Sequence, residues 1–125
     1  MTGHCLCEGI RFRVTGQLRS VVNCHCEDCR RTTGHFMAAT ACHRDDVIIE
    51  SDETLSWYRP ADEIKYGFCH RCGGTVFWHT DANPESVSIA AGMLDAPTEL
   101  ETHFALHTDE ASDYYSLDDT IAQLD

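Results

Sequence analysis

The stretch Gly3-His4-Cys5-Leu6-Cys7-Glu8-Gly9-Ile10-Arg11-Phe12-Arg13-Val14 joins a pair of thiols to an alternation of apolar and basic side chains. Ile10, Phe12 and Val14 fall on one face and Arg11 and Arg13 on the other, the period-two pattern of a half-buried strand. Similar segments recur at Arg19 to Cys24, His35 to Cys42, Asp46 to Glu50, Thr54 to Tyr58 and Ile64 to Cys69. They continue at Gly74 to His79, Ser86 to Ala91 and Glu101 to Leu106. Thr15-Gly16, Arg59-Pro60, Asp81-Ala82-Asn83-Pro84 and Asp95-Ala96-Pro97 punctuate them as turns. Many short strands at this spacing predict a mainly β fold, a sandwich or open barrel, with little helix. Glu27 to Thr33 has room for a turn or two of helix. Leu117 to Leu124 is expected to be a terminal helix or a frayed tail.

The two thiols of that opening stretch need partners. Seven of the eight cysteines fall in three clusters: Cys5-x-Cys7, Cys24-x-Cys26-x-x-Cys29 and Cys69-x-x-Cys72. Two ligands plus two close a tetrahedral shell, as a structural zinc requires, whereas three leave one position free, as a catalytic zinc requires. Joining Cys5 and Cys7 to Cys69 and Cys72 would bring the first strand to a late one and staple a small β domain. Cys69-His70-Arg71-Cys72 also has the spacing of a redox dithiol, but Gly73-Gly74 and a strand-like run follow it, not a helix. The central triplet can take a fourth ligand from water, a substrate thiol, Cys42, His25 or His35. Cys42 alternatively reads as a small core residue. An iron–sulfur cluster normally takes four cysteines, one more than the triplet supplies.

Arg30 and Arg31 follow the triplet directly. They suit surface charge or the grip of a carboxylate-bearing substrate beside a tris-thiolate metal. Thr32-Thr33-Gly34-His35-Phe36 would then wall the same pocket, with His35 a candidate substrate contact.

The 125 residues are most naturally one domain, residues 1–125, ending in an acidic segment from about residue 108. The formal net charge is −12, and residues 72–125 contain no Lys or Arg. Such a surface repels phosphate backbones and anionic membranes, so neither a nucleic-acid nor a membrane partner is expected. No apolar run approaches the length of a membrane span, and Met1-Thr2-Gly3-His4 does not begin a secretory signal. The expected compartment is the cytoplasm, where thiols stay reduced and clustered cysteines favour metal over disulfides.

Three segments carry a resemblance. They are Gly3-His4-Cys5-x-Cys7 before the first strand, Cys24-His25-Cys26-x-x-Cys29-Arg30-Arg31-x-x-Gly34, and Phe68-Cys69-x-x-Cys72-Gly73 followed by Trp78. Together the order and spacing resemble the glutathione-dependent formaldehyde-activating enzymes and the related centromere protein V-like proteins. Gly92-Met93-Leu94-Asp95 is similar to the family's late signature, and Glu8 departs from it where glycine is common. The resemblance implies a β-tent fold of short antiparallel strands and two zinc ions per chain. One would be structural, on Cys5, Cys7, Cys69 and Cys72; the second would sit on Cys24, Cys26 and Cys29 with a position open to a thiol. It also implies a carbon–sulfur lyase that joins glutathione to formaldehyde. Small-molecule thiol and aldehyde are thus the expected partners. The alternative is a non-catalytic zinc-stabilised scaffold with two structural zincs.

Overall fold

A computed structural model describes residues 1–125. Eleven strands form two sheets: β1 (Thr2–His4), β2 (Ile10–Val14), β3 (Val21–Cys24), β4 (Met37–His43), β5 (Val47–Asp52), β6 (Leu55–Ala61), β7 (Ile64–Cys69), β8 (Thr75–Thr80), β9 (Ser86–Ala90), β10 (Thr102–Leu106) and β11 (Ala122–Leu124). The small sheet has the order β1-β2-β5. The large one runs β11-β10-β3-β4-β9-β8-β7-β6. Pairing is antiparallel except at β10, which lies parallel to both β3 and β11. The mainly β expectation holds.

The alternation in β2 does what it predicts. Ile10, Phe12 and Val14 are buried and Arg11 and Arg13 exposed. Phe12 reaches Phe77 of β8 with ring centroids 5.3 Å apart. Around them pack Cys42, Val76, Val87, Ile89 and Leu94, so the principal core lies between the two sheets. Period two then divides the large sheet's side chains. In β4, Cys42 joins this core, while Met37 and Ala39 turn to the other face with Cys29 and Tyr66.

The helix α1 occupies Glu27–Thr33, as the sequence suggests. The sulfur of Cys26 caps it by accepting from the Cys29 amide, and Glu27 and Asp28 sit favourably at its positive end. It stops at Gly34, whose N–H closes on the Arg30 carbonyl.

Residues 117–124 are neither helix nor frayed tail. Ala122–Leu124 pairs in register with Phe104–Leu106 as the edge strand β11. All three residues are exposed, so main-chain bonding to an open sheet edge, not burial of an apolar face, decides this segment.

Candidate functional site

The chain reversal at the first cluster sets two thiols on a tight loop. The Glu8 amide donates to the Cys5 carbonyl at 3.0 Å, and the Cys5 amide to that of Ile10 at 3.1 Å. Glu8 itself has φ 64, a left-handed conformation that glycine adopts without steric cost. A matching loop forms at the last pair, where the Gly73 amide closes on the Cys69 carbonyl at 2.8 Å with φ 83 at Gly73. The two loops meet because Gly9 lets the backbone approach Thr54, whose side chain a Cβ there would strike. Thr54 Oγ1 in turn lies 3.0 Å from Cys69 Sγ.

Cys5, Cys7, Cys69 and Cys72 therefore converge, with all four sulfurs within 4.8 Å of one another. Cys5–Cys7 and Cys7–Cys69 are 3.7 and 3.4 Å apart, close to the edge of about 3.8 Å of a zinc–thiolate tetrahedron. Amides point at the sulfurs: Ile10 donates to Cys5, and Arg71 and Cys72 donate to Cys69. Arg71 Nε adds a charged bond to Cys7 at 3.3 Å. Burial pushes the Cys69 thiol up, yet the Thr54 hydroxyl and the Cys72 and Arg71 amides outweigh it and bring the pKa down to about 5. Burial dominates at Cys5, which is raised to about 11. Four soft donors with amide support fit a closed zinc shell.

Cys24, Cys26 and Cys29 also converge, again within 4.8 Å. β3 delivers Cys24, the cap of α1 delivers Cys26, and the first turn delivers Cys29. The Cys29 amide donates to Cys26 Sγ at 3.3 Å, and Tyr66 of β7 sets its hydroxyl 3.2 Å from Cys29 Sγ. The bond from Cys29 lowers Cys24 to about 6, while Cys29 is held far above the ordinary thiol value by that bond and by burial. Three soft donors, one fewer than a closed tetrahedral shell takes, fit a metal that keeps an exchangeable position.

All three of these cysteines border one cavity of about 240 Å³. Val22, Met37, Ala39, Ile64, Trp78 and Leu106 supply most of its wall, with Arg19, Asp28, Tyr66, Ser88 and His107 as polar members. Trp78 stands out in the sequence only as part of the resemblance, and neither it nor Arg19 or Tyr66 is marked there as a cavity residue, because the three lie on separate strands and loops and meet only across the sheet.

The other residues proposed from sequence lie elsewhere. Cys42 sits in the inter-sheet core, on the opposite face of β4. His25 is buried with Nδ1 2.5 Å from the Tyr115 hydroxyl, and His35 Nδ1 lies 2.5 Å from that of Tyr114. Burial, then His35, lowers the His25 pKa. Arg31 is exposed and faces Glu27 at 3.9 Å. Arg30 is half-buried, and its Nε has no hydrogen-bond partner. None of these five borders the cavity.

No helix is long and apolar enough to cross a membrane. A family model described as glutathione-dependent formaldehyde-activating enzyme matches residues 1–110. A crystal structure of a Rhodobacter sphaeroides protein is similar at a TM-score of 0.65 and 25% sequence identity, covering 82% of this chain and 99% of that one. No curated protein sequence matches the chain.

Proposed function

The chain belongs to the glutathione-dependent formaldehyde-activating enzyme family, and from that premise we propose that it joins a small thiol to formaldehyde or a related small aldehyde. The activity is of the carbon–sulfur lyase type, written in the direction of addition. The sulfur bonds to the carbonyl carbon, the carbon–oxygen π pair moves to oxygen, and the thiol proton ends on that oxygen. Two zinc ions belong to the proposal. Cys5, Cys7, Cys69 and Cys72 would hold one as a staple, and Cys24, Cys26 and Cys29 the other. Zinc at the second set would supply a Lewis acid that favours the thiolate form of a thiol at neutral pH.

The chain's own part is placement. Tyr66 keeps its proton, because burial and the Cys29 thiol raise its pKa, so its hydroxyl remains a donor toward the triad. The apolar wall excludes water from the reacting sulfur and carbonyl and holds them together. The small thiol reaches the triad through this cavity. With all eight cysteines unpaired, we place the protein in the reducing cytoplasm as a single domain, and its acidity argues against a nucleic-acid partner.

The observation that carries this reading is that all three cysteines of the triad border one cavity. A scaffold with two structural zincs needs no such wall. The test is cobalt exchange. An accessible position predicts a thiol-dependent change in the visible spectrum that disappears with Cys26→Ser. A spectrum indifferent to saturating thiol would leave the scaffold reading standing.

A further inference from the structure

The cavity beside the triad is larger and more apolar than a one-carbon aldehyde requires. It measures about 240 Å³, where one water needs only about 10–15 Å³. Its wall of Val22, Met37, Ile64, Trp78 and Leu106 offers few partners to a tripeptide thiol. Two carboxylates and two peptide groups would lose hydration there without replacement. An apolar body loses nothing and gains burial.

The one Lys or Arg on this wall is Arg19, an exposed residue. Its Nη2 donates to the Ala39 carbonyl at 3.1 Å and its Nε to that of Ser20 at 3.2 Å. These bonds fix the guanidinium and leave further N–H groups free. No carboxylate lies within ion-pair distance of it. Asp28, the carboxylate on the wall, belongs to α1 at the triad end, where His107 also borders the cavity, so Arg19 is the wall's permanent cation and the anchor it offers a carboxylate.

The register gives the span. Val22 pairs with Ala39 and Cys24 with Met37, so a guanidinium bonded to Ala39 lies level with Val22. Two residues of strand at about 3.3 Å each put it about 7 Å from the level of Cys24.

We propose that the cavity binds a monocarboxylic acid with an apolar body, its carboxylate at Arg19 and its far end, about 7 Å away, at the triad. Resting on the activity proposed above, this makes the thiol substrate an apolar mercapto acid in place of glutathione itself.

Trp78 lines the cavity, and Trp57 is the second of the chain's two tryptophans. In the zinc-loaded Trp57→Phe protein, Trp78 emission therefore reports occupancy directly. Titration with ω-mercaptohexanoate is expected to saturate at a concentration about tenfold or more below that for glutathione. Hexanoate should also saturate. Arg19→Gln should weaken both acids about tenfold, the loss of one charge-assisted bond, while leaving hexanol unchanged; Arg19→Lys should recover part of the loss. Calorimetry on the unsubstituted protein should give the same order.

Glutathione binding as tightly as the mercapto acid, or Arg19→Gln acting equally on acid and alcohol, would overturn the inference. The two proposals separate cleanly. If hexanoate binds as well as ω-mercaptohexanoate, the cavity assignment stands and the thiol activity falls. If glutathione alone binds and depends on Cys26, the activity stands and the apolar acid falls.

Discussion

The Tyr66 hydroxyl lies 3.2 Å from Cys29 Sγ, linking β7 to the first turn of α1 across 37 residues of sequence. Both side chains are buried, so little solvent competes for the contact. Removing the hydroxyl leaves the ring's packing and deletes only its bond to the sulfur. Groups that orient a ligand from behind typically change metal affinity about 10–100-fold. Tyr66→Phe is therefore expected to weaken zinc binding at the triad by that order and leave the four-cysteine set unchanged. Chelator competition on the two sites measures it. Equal weakening of both would mean that Tyr66 serves the fold alone.

The two cysteine sets should separate by what their loss does. Cys69 is fully buried at the junction of two loops, with Thr54 against it. A structural zinc contributes about 10–16 kcal/mol to folding in small domains, against a total stability of about 5–15 kcal/mol for a typical domain. Cys69→Ser is thus expected to abolish cooperative unfolding near 25 °C. Cys26→Ser should lose one zinc and keep the melting transition within a few degrees. Circular dichroism melts with metal analysis distinguish the outcomes, and a folded Cys69→Ser protein would refute the staple.

Cys42 gives a pH dependence free of metal. Burial first, then the Asp46 carboxylate, raises its pKa from 9.0 to about 11. The native state therefore keeps a proton that the unfolded chain loses, so stability is fully present below pH 9 and falls as pH rises from about 9 to 11. Cys42→Ala should flatten that alkaline decline, keep two zincs, and cost about 1–2 kcal/mol at neutral pH through the small void it leaves. Urea titrations at pH 8 and pH 10.5 would show it. An unchanged alkaline slope would refute the assignment.

The strands and cysteine sets were legible for a common physical reason. Burial on one face imposes period two, as Ile10, Phe12 and Val14 show, and convergence of thiols on one point imposes tight spacing within each loop. Both signals are local. The cavity is not local: Arg19, Tyr66 and Trp78 come from different segments and meet through strand order, which no spacing encodes. Arg30 and Arg31 stood nearest the triad in sequence, yet a helix turns successive residues about 100° apart, and Arg31 faces solvent while Cys29 faces the wall. Edge pairing by β11 leaves no side-chain pattern at all, since all three of its residues are exposed.

That last strand ties down an acidic segment whose tyrosines reach the triad loop. Tyr115 bonds His25 Nδ1 and stacks on its ring with centroids 5.4 Å apart. His25 lies between Cys24 and Cys26, so the segment beyond residue 110 braces the loop that presents both sulfurs. Tyr115→Phe removes one partly buried hydrogen bond, worth about 0.5–1.5 kcal/mol, and Tyr115→Ala removes the stack as well. The expected result is a graded series in which amide exchange at Cys24 to Cys29 accelerates and zinc affinity at the triad falls, by about tenfold for alanine. The four-cysteine set should hold its metal throughout. Unchanged exchange in the alanine variant would show that the segment only lies on the surface and that its acidic residues serve solubility alone.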